Sequence, residues 1–147
     1  VPGLAAAFIE IELDPETGKV EILDYLGVAD VGQVMHPQGL DAQIRGGAIM
    51  GFGMAALERY IYDPAYGRPQ ARGYYQAKPP TYLDVPVKMG SLAVEGAHDP
   101  QNPVGAKGIG EPLEGCAAAA LLCAISDALA SPERYPRQRR SGRSKKE

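Results

Sequence analysis

Apolar and charged residues alternate in two runs near the beginning of the chain. Residues 6–13 place two glutamates between apolar side chains, and residues 20–29 return to the same alternation. The residues between the runs, Asp-Pro-Glu-Thr-Gly-Lys, are of the types that favour a tight turn. A period of two on both sides of such a turn predicts a β-hairpin.

A different pattern follows at residues 38–57, which we interpret as a helix despite an unusual number of glycines. Each glycine inside a helix costs about 1 kcal/mol relative to alanine. Glycines at this density indicate that the helix backbone lies very close to another element or to a ligand, because glycine has no side chain to hold them apart. These residues are Gly39, Gly46, Gly47, Gly51 and Gly53.

The middle of the chain is rich in aromatic residues and prolines. Residues 58–63 and 71–76 are predicted to form a second hairpin around a Pro-Ala-Tyr-Gly turn. Three prolines within residues 79–86 then require extended, non-helical backbone. We expect residues 85–95 to contain a further strand.

The last third of the chain combines a loop and a helix. Residues 98–112 are rich in glycine and proline and are predicted to form a loop, whereas the alanine-rich residues 116–130 are predicted to form a helix. The order of elements favours an α+β fold in which β-hairpins pack with the glycine-rich helix and the C-terminal alanine-rich helix. We expect residues 1–130 to be part of a larger domain.

The composition is that of an ordinary soluble chain, with 147 residues of which 45% are hydrophobic and 22% are charged. The longest apolar run, residues 116–125, is shorter than the roughly 18–20 residues that a membrane-spanning helix needs, so we expect no membrane span. The sequence begins with Val1 rather than with methionine, and we therefore expect a piece of a longer protein.

Cysteines and histidines, the usual soft metal ligands, are few and scattered. Cys116 and Cys123 would share one face of the alanine-rich helix and could form a metal site or a disulfide. We favour two buried apolar side chains in a protein of the reducing cytoplasm. His36 and His98 lie in loops near prolines, and we expect each to brace its loop rather than bind a metal.

Positive charge is concentrated at the end of the chain. Residues 133–147 carry seven Lys or Arg and two Glu, although the whole chain has a net charge of −3. A basic tail can bind nucleic acid or acidic lipid, but one with so few apolar residues is more typical of disorder. We expect residues 131–147 to form a disordered tail, and we predict no nucleic-acid partner.

Two glycine motifs resemble nucleotide-binding sequences only in part. Residues 51–56 match G-x-G-x-x-A, but they lie inside the predicted helix rather than between a strand and a helix. Helix packing is the better interpretation. Residues 105–111 contain a lysine among glycines but lack the residue order of a P-loop.

This second motif presents a single carboxylate, Glu111, between glycines and a proline. Gly105, Gly108 and Gly110 permit backbone conformations closed to other residues, and Pro112 restricts Glu111 to extended geometry. Glu111 is therefore either a general base on a rigid loop or a helix-start residue whose charge suits the helix dipole. The residues alone leave both interpretations open.

Five stretches, in order along residues 5–130, resemble the molybdenum hydroxylases, the family of xanthine dehydrogenase and aldehyde oxidoreductase. Each motif is weak alone, but their order and spacing identify the chain as a member. They are residues 11–18, similar to E-V-D-P-E-T-G; residues 30–37, similar to D-V-G…N-P with His36 in place of asparagine; residues 43–53, similar to Q-x-x-G-G…G-x-G; residues 79–86, similar to P-T-x-x-D-x-P; and residues 105–128, similar to G-A-K-G-V-G-E-P…A-I-x-D-A.

The resemblance implies that Glu111 is the catalytic base. In the family this carboxylate takes the proton of a molybdenum-bound hydroxide, which attacks an electron-poor carbon of an aldehyde or N-heteroaromatic substrate. A hydride passes to the sulfido ligand of the metal, and the inserted oxygen comes from water. The resemblance further implies that Gln43, Gly110 and Lys107 lie against the molybdenum–molybdopterin cofactor, although Gln43 is equally suited to begin a helix. No residue of this chain is expected to ligate the metal.

The resemblance also implies that this chain is one portion of an enzyme. Residues 1–130 would be the C-terminal segment of the molybdopterin-binding domain of the large subunit. The rest of that domain, most of the substrate pocket, and the iron–sulfur and flavin partners would lie elsewhere, so we expect the isolated chain to be inactive. The alternative is a non-catalytic binding or assembly module built on the same scaffold.

Overall fold

The computed structural model describes residues 3–94, 96 and 98–130, so the predicted tail lies outside the described residues. A π-helical turn, Gly53–Leu57, continues the first helix, and a 3-10 turn occupies Tyr82–Asp84. The elements in chain order are β1 (Ala5–Asp14), β2 (Lys19–Ala29), α1 (Pro37–Phe52), α2 (Tyr74–Ala77), β3 (Lys88–Ala93) and α3 (Pro112–Ala130).

The predicted hairpin is confirmed, and it forms two thirds of a three-stranded sheet. β1 and β2 pair antiparallel from Ala5 opposite Ala29 to Asp14 opposite Lys19. The turn is closed by Gly18, whose φ of 71° suits glycine and whose amide donates to the Asp14 carbonyl oxygen at 2.8 Å. β3 pairs parallel with the other side of β2, because α1 carries the chain across the sheet between them. The fold is α+β, as predicted, with one parallel crossover.

The core lies between this sheet and the two long helices. One buried cluster joins Tyr25 to Phe52 through an edge-to-face ring contact, with centroids 5.3 Å apart. Burial, and secondly the neighbouring Cys116, raise the pKa of Tyr25 to about 12. A second cluster, at the end of β2, comprises Ala29, Val31, Ile44 and Leu113.

α3 begins four residues before the predicted start. Pro112 occupies its first position, where a proline sacrifices no helical hydrogen bond, and Leu113 immediately enters the core. At 19 residues the helix is long and apolar enough to cross a membrane by length and composition, so the expectation of too short a run was wrong. It nevertheless packs on the sheet and on α1 through Ala117 and Leu121.

Three of the five glycines in the predicted helix, Gly47, Gly51 and Gly53, lie close to other elements, as expected, whereas a methyl group at Gly39 would meet only the cap residue His36. A methyl group added at Gly51 would collide with the Glu114 carbonyl oxygen and lie 3.0 Å from the Ala118 amide nitrogen, both in α3. One added at Gly53 would lie 2.5 Å from the Pro80 ring. A methyl group at Gly46 would meet nothing within 4 Å. The G-x-G-x-x-A motif is therefore a helix-packing sequence.

The second predicted hairpin is wrong in its pairing. The turn at residues 64–67 forms, but it joins residues 61–63 to residues 68–70 through an antiparallel bridge between Tyr62 and Pro69, not to residues 71–76. The Asp63 amide donates to the Arg68 carbonyl oxygen and the Gln70 amide donates to the Ile61 carbonyl oxygen, both at 2.9 Å. Pro69 occupies the position in this short pairing that donates no cross-strand hydrogen bond, so its missing N–H group is tolerated there. The segment predicted to pair back instead ends in the short helix α2, and the proline-rich stretch predicted to be non-helical contains the 3-10 turn.

The cysteines are free thiols in different surroundings. Cys116 is partly buried against the second cluster, where its Sγ donates to the Leu113 carbonyl oxygen at 3.4 Å. Cys123, two turns later, is exposed, so the prediction that both cysteines are buried was wrong for Cys123.

Candidate active site

The site begins where α1 begins, because His36 caps that helix. Its Nδ1 atom accepts a hydrogen bond from the Gly39 amide at 2.7 Å, and Pro37 takes the first helical position. Asparagine, which the resembling motif has at this position, is among the best residues for the same task. His36 thus braces its loop, as predicted, and a cap of this kind stabilises a helix by about 1 kcal/mol.

Gln43 lies about two turns after His36 in α1 and is exposed. Its place in the helix, four residues before Gly47, puts both residues on the same side of α1. A methyl group at Gly47 would lie 3.0 Å from the Leu113 Cβ and 3.6 Å from the Gly110 carbonyl oxygen. The loop before α3 therefore crosses α1 at Gly47, one turn from Gln43.

That loop, residues 98–111, is shaped by hydrogen bonds to its own backbone. Gly105 has a φ of 68°, and its carbonyl oxygen accepts from the amide of the buried Asp99 at 2.9 Å. The Asn102 side-chain amide donates to the Ala106 carbonyl oxygen at 3.1 Å. Gly105 is needed for its conformation and for space, because a methyl group there would lie 2.8 Å from the His98 Nδ1.

The loop is then fastened to the segment that follows β2. The Gln33 amide donates to the Gly105 carbonyl oxygen at 2.8 Å, and the Lys107 amide donates to the Val31 carbonyl oxygen at 2.8 Å. Gly32 and Ala106 form an antiparallel bridge between these two bonds. Residues 105–107 thus run as a short extra strand beside residues 31–33.

An ion pair reinforces the same junction. Lys107 Nζ donates to Asp30 Oδ2 at 2.6 Å, and the two side chains are only 8% and 15% exposed. Asp30 Oδ1 also accepts from the Gly32 amide at 3.3 Å. The Lys107 hydrogen bond is the main cause that holds the pKa of Asp30 below its ordinary value.

Beyond Lys107 the loop packs on the second cluster through Ile109 and is otherwise exposed up to Glu111. A methyl group at Gly108 or Gly110 would meet nothing within 4 Å, and the Glu111 side chain is exposed. The Glu111 carbonyl oxygen accepts from the Glu114 amide at 3.0 Å, so Glu111 is the residue from which α3 starts. The two interpretations of Glu111 are therefore compatible: its backbone begins a helix, and its carboxylate is exposed.

The structure places Gly110 beside Gly47, one helical turn from the exposed Gln43, and the exposed Glu111 follows Gly110 in the chain. Lys107 neighbours the same loop, but its ammonium faces Asp30 and the interior rather than solvent. Sequence reasoning noted the Asp30-Val31-Gly32 motif without giving Asp30 a role. Asp30 and Lys107 are separated by 76 residues. The sequence therefore contained only one indication of their contact, which is that the Asp-Val-Gly motif and the lysine-containing loop occur in the same chain.

Comparison with known proteins decides the family. The Molybdopterin cofactor-binding domain family matches residues 2–86, which is more than half of the chain. The chain belongs to this family. The resemblance to molybdenum hydroxylases drawn from the motifs is thereby confirmed.

Relatives and solved structures agree. The chain is 36% identical, over 83% of its own length and 15% of the relative's, to the gamma subunit of the 6-hydroxypseudooxynicotine dehydrogenase complex of Paenarthrobacter nicotinovorans. It is 33% identical, over 76% of its length and 14% of the relative's, to a putative xanthine dehydrogenase molybdenum-binding subunit of Escherichia coli K12. Quinoline 2-oxidoreductase from Pseudomonas putida 86 superposes with a TM-score of 0.77 at 34% identity, covering 85% of this chain and 16% of that one.

The residues near Gln43 and Glu111 are of types that suit a molybdopterin cofactor. A methyl group at Gly46, Gly108 or Gly110 would meet nothing within 4 Å, so a ligand can approach the backbone at these positions. Gln43 can donate and accept hydrogen bonds beside them. Among the described residues, His, Cys, Asp and Glu side chains form no group of three or more that could hold a metal ion.

Proposed function

We propose that this chain is the part of a molybdenum hydroxylase large subunit that carries the catalytic base, Glu111. The observation that carries the proposal is the juxtaposition of an exposed carboxylate with an open glycine surface in a member of the molybdopterin cofactor-binding family. The Gln43 amide and the backbone at Gly110 would contact the cofactor. The chain spans about 15% of the length of the relatives it matches, so the rest of the site is supplied by other segments.

Glu111 would accept a proton on a carboxylate oxygen from the water-derived nucleophile that attacks the substrate carbon. The molybdenum cofactor, when bound, acidifies that nucleophile and accepts the two electrons of the oxidation. A base must lie within hydrogen-bond reach of the proton it removes. The anchored loop supplies a fixed backbone for it, and the exposed side chain can reach outward from the protein.

The substrate class would be an aldehyde or an N-heteroaromatic compound attacked at an electron-poor carbon. Relatives are named for compounds of the second kind, including a quinoline 2-oxidoreductase and a nicotine 6-hydroxylase large subunit. This choice rests on those names and not on a pocket in this chain, since the open surface is only one wall of a site.

The remaining molybdopterin-binding portion is proposed as the direct partner, with iron–sulfur and flavin modules beyond it. Residues 58–87 support such an interface, because many large apolar side chains in this segment are exposed to solvent. Leu83 is 94% exposed and Val87 is fully exposed. Patches of this kind mark contact surfaces. The exposed aromatic residues of the segment are Tyr60, Tyr62, Tyr66, Tyr74, Tyr75 and Tyr82.

Glu111→Gln in the complete, cofactor-loaded enzyme tests the catalytic role. Removing a general base is expected to lower kcat by about 10²–10⁴-fold, while the molybdenum content stays unchanged. Glu114→Gln is the matched control, because it removes a carboxylate one turn away in α3 and should leave kcat within about twofold. Full activity in Glu111→Gln, or an equal loss in both variants, would refute the assignment.

A separate measurement tests the partial nature of the site. The isolated 147-residue chain is expected to retain no molybdenum after purification from cells that make the cofactor, and to show no turnover. Mass spectrometry of the metal content decides it: stoichiometric molybdenum on the isolated chain would contradict the proposal that most cofactor contacts lie elsewhere.

A further inference from the structure

The loop that carries Glu111 is held on both sides of this residue. On one side the hold includes an ion pair between Asp30 and Lys107, two residues far apart in the sequence. After Glu111 the chain enters α3, where Leu113 is fully buried in the cluster that includes Val31. Before Glu111 the last residue that is hydrogen-bonded to the segment after β2 is Lys107, through its amide and its ammonium group, and two residues later Ile109 packs against the same cluster as Leu113. Between the two points the chain consists of Gly108, Ile109, Gly110, Glu111 and Pro112.

Of those five residues, Ile109 packs against the second cluster, whereas a methyl group at Gly108 or Gly110 would meet nothing within 4 Å, so few side-chain contacts hold the backbone next to Glu111. Glycine has the largest backbone freedom of any residue. The position of the carboxylate therefore depends on how well the two ends are fixed. The Leu113 end is fixed by burial, and the Lys107 end by the pairing with residues 31–33 and by Asp30.

The Asp30–Lys107 ion pair joins the loop to the end of β2 and is shielded from solvent, as a structural contact is, whereas a ligand contact would be accessible. Both side chains are largely shielded from water, and a shielded pair at 2.6 Å is screened less than an exposed one. Removing one partner would leave an unpaired charge in the interior, which is strongly unfavourable. The Gly32 amide further orients the carboxylate, so Asp30 is itself constrained on the backbone it fastens.

We infer that Asp30 and Lys107 are positioning residues for the catalytic base, acting through the loop and not through the cofactor. The inference rests on the proposed function, since it assigns the loop a task in turnover. Misplacing a reacting group by about 1 Å can cost on the order of 10²-fold in rate. The expected signature of a loosened loop is a lower kcat with little change in KM or in cofactor content.

Lys107→Met and Asp30→Asn in the complete enzyme test the inference. Each is expected to lower kcat by about 10–100-fold, to change KM by less than about threefold, and to keep a full complement of molybdenum. Hydrogen–deuterium exchange of the resting enzyme should be faster at residues 105–110 and unchanged in β1. The double variant should be no worse than the poorer single variant, because the two residues act as one unit.

Lys19→Met is the matched control, because it removes a lysine from an exposed ion pair with Glu21, 4.0 Å apart in the hairpin. It should alter neither kcat nor exchange in the loop. If Lys107→Met does not accumulate as folded protein, Lys107→Arg keeps the charge in a different shape and is expected to give an intermediate kcat and an intermediate exchange rate.

Three outcomes would overturn the inference. Loss of molybdenum in proportion to activity in Lys107→Met would make Lys107 a cofactor contact. Unchanged kcat in both single variants, or unchanged exchange of the loop, would show that the ion pair does not position it. Failure of the proposed function is recognised separately: Glu111→Gln would then remain active, whereas the exchange measurement would still report whether the pair fastens the loop.

Discussion

Glycines on the two sides of α1 occupy opposite environments although they stand next to one another in the sequence. Gly47 and Gly51 face α3 so closely that a methyl group would meet its backbone or its Cβ atoms. Gly46, directly beside Gly47, faces open space. The same amino acid is therefore required for helix packing on one side and for access on the other.

The loop before α3 shows the same division along its length. Gly105 is buried, has positive φ and lies against His98, whereas a methyl group at Gly108 or Gly110, next to Glu111, would meet nothing within 4 Å. The crowded (closed) glycines, Gly47, Gly51 and Gly105, allow α1, α3 and the loop to pack closely. The uncrowded (open) glycines, Gly46, Gly108 and Gly110, leave backbone that a ligand can approach. Substitutions on the two sides should consequently have opposite effects.

Gly51→Ala should have the largest effect. The added methyl group collides with the Glu114 carbonyl oxygen and crowds the Ala118 amide, and backbone atoms of a packed helix cannot move aside locally. Overpacking of this kind is expected to lower the free energy of unfolding by about 3 kcal/mol. Urea denaturation of the variant and the parent chain measures it, and a change below about 0.5 kcal/mol would contradict the close helix contact.

Gly105→Ala should have the next largest effect, because alanine at a φ of 68° is strained by about 1–2 kcal/mol and its methyl group would also meet His98. Adding His98→Ala separates the two causes. The double variant should recover the part due to the collision and keep the part due to backbone strain. Complete recovery in denaturation experiments would mean that the conformation of Gly105 is not costly for alanine.

Acid should loosen the closed half of the loop by a smaller amount. The pKa of Asp30 lies below its ordinary value of 3.8 when folded. Its pairing therefore stabilises the folded chain fully above that ordinary value, and the stabilisation disappears as the pH falls through the lower, folded pKa. Comparing the acid dependence of the unfolding free energy in the parent and in Asp30→Asn measures this contribution; identical curves would show that the ion pair contributes nothing.

Gly46→Ala should have the smallest effect on stability and the opposite sign. The methyl group meets nothing, so the variant should gain at most about 1 kcal/mol from the better helix propensity of alanine. In the complete subunit the same methyl group would occupy the open surface, and molybdenum retention should fall. A more stable variant with unaltered molybdenum content would remove Gly46 from the proposed cofactor surface.

The sequence was informative wherever the cause of a structure is local. The hairpin follows from alternation around a turn at residues 14–19, and α1 and α3 follow from their composition. The pairing of the second hairpin was predicted wrongly because residues 68–70 directly after the turn pair with residues 61–63, whereas residues 74–76, which were predicted to pair back, enter the short helix α2. Helix α3 was likewise underestimated, since burial of Leu113 extends it toward Pro112.

By itself, the sequence determined the α+β elements, the family motifs in their order, and Glu111 as a candidate base, because turn chemistry, periodicity and short motifs act over a few residues. Only the tertiary structure decided which glycines are closed and which are open, and that Lys107 faces Asp30 instead of the exposed surface. Those contacts join segments tens of residues apart. The residues next to a glycine or a lysine in the sequence do not indicate which distant residue it will contact in the folded chain.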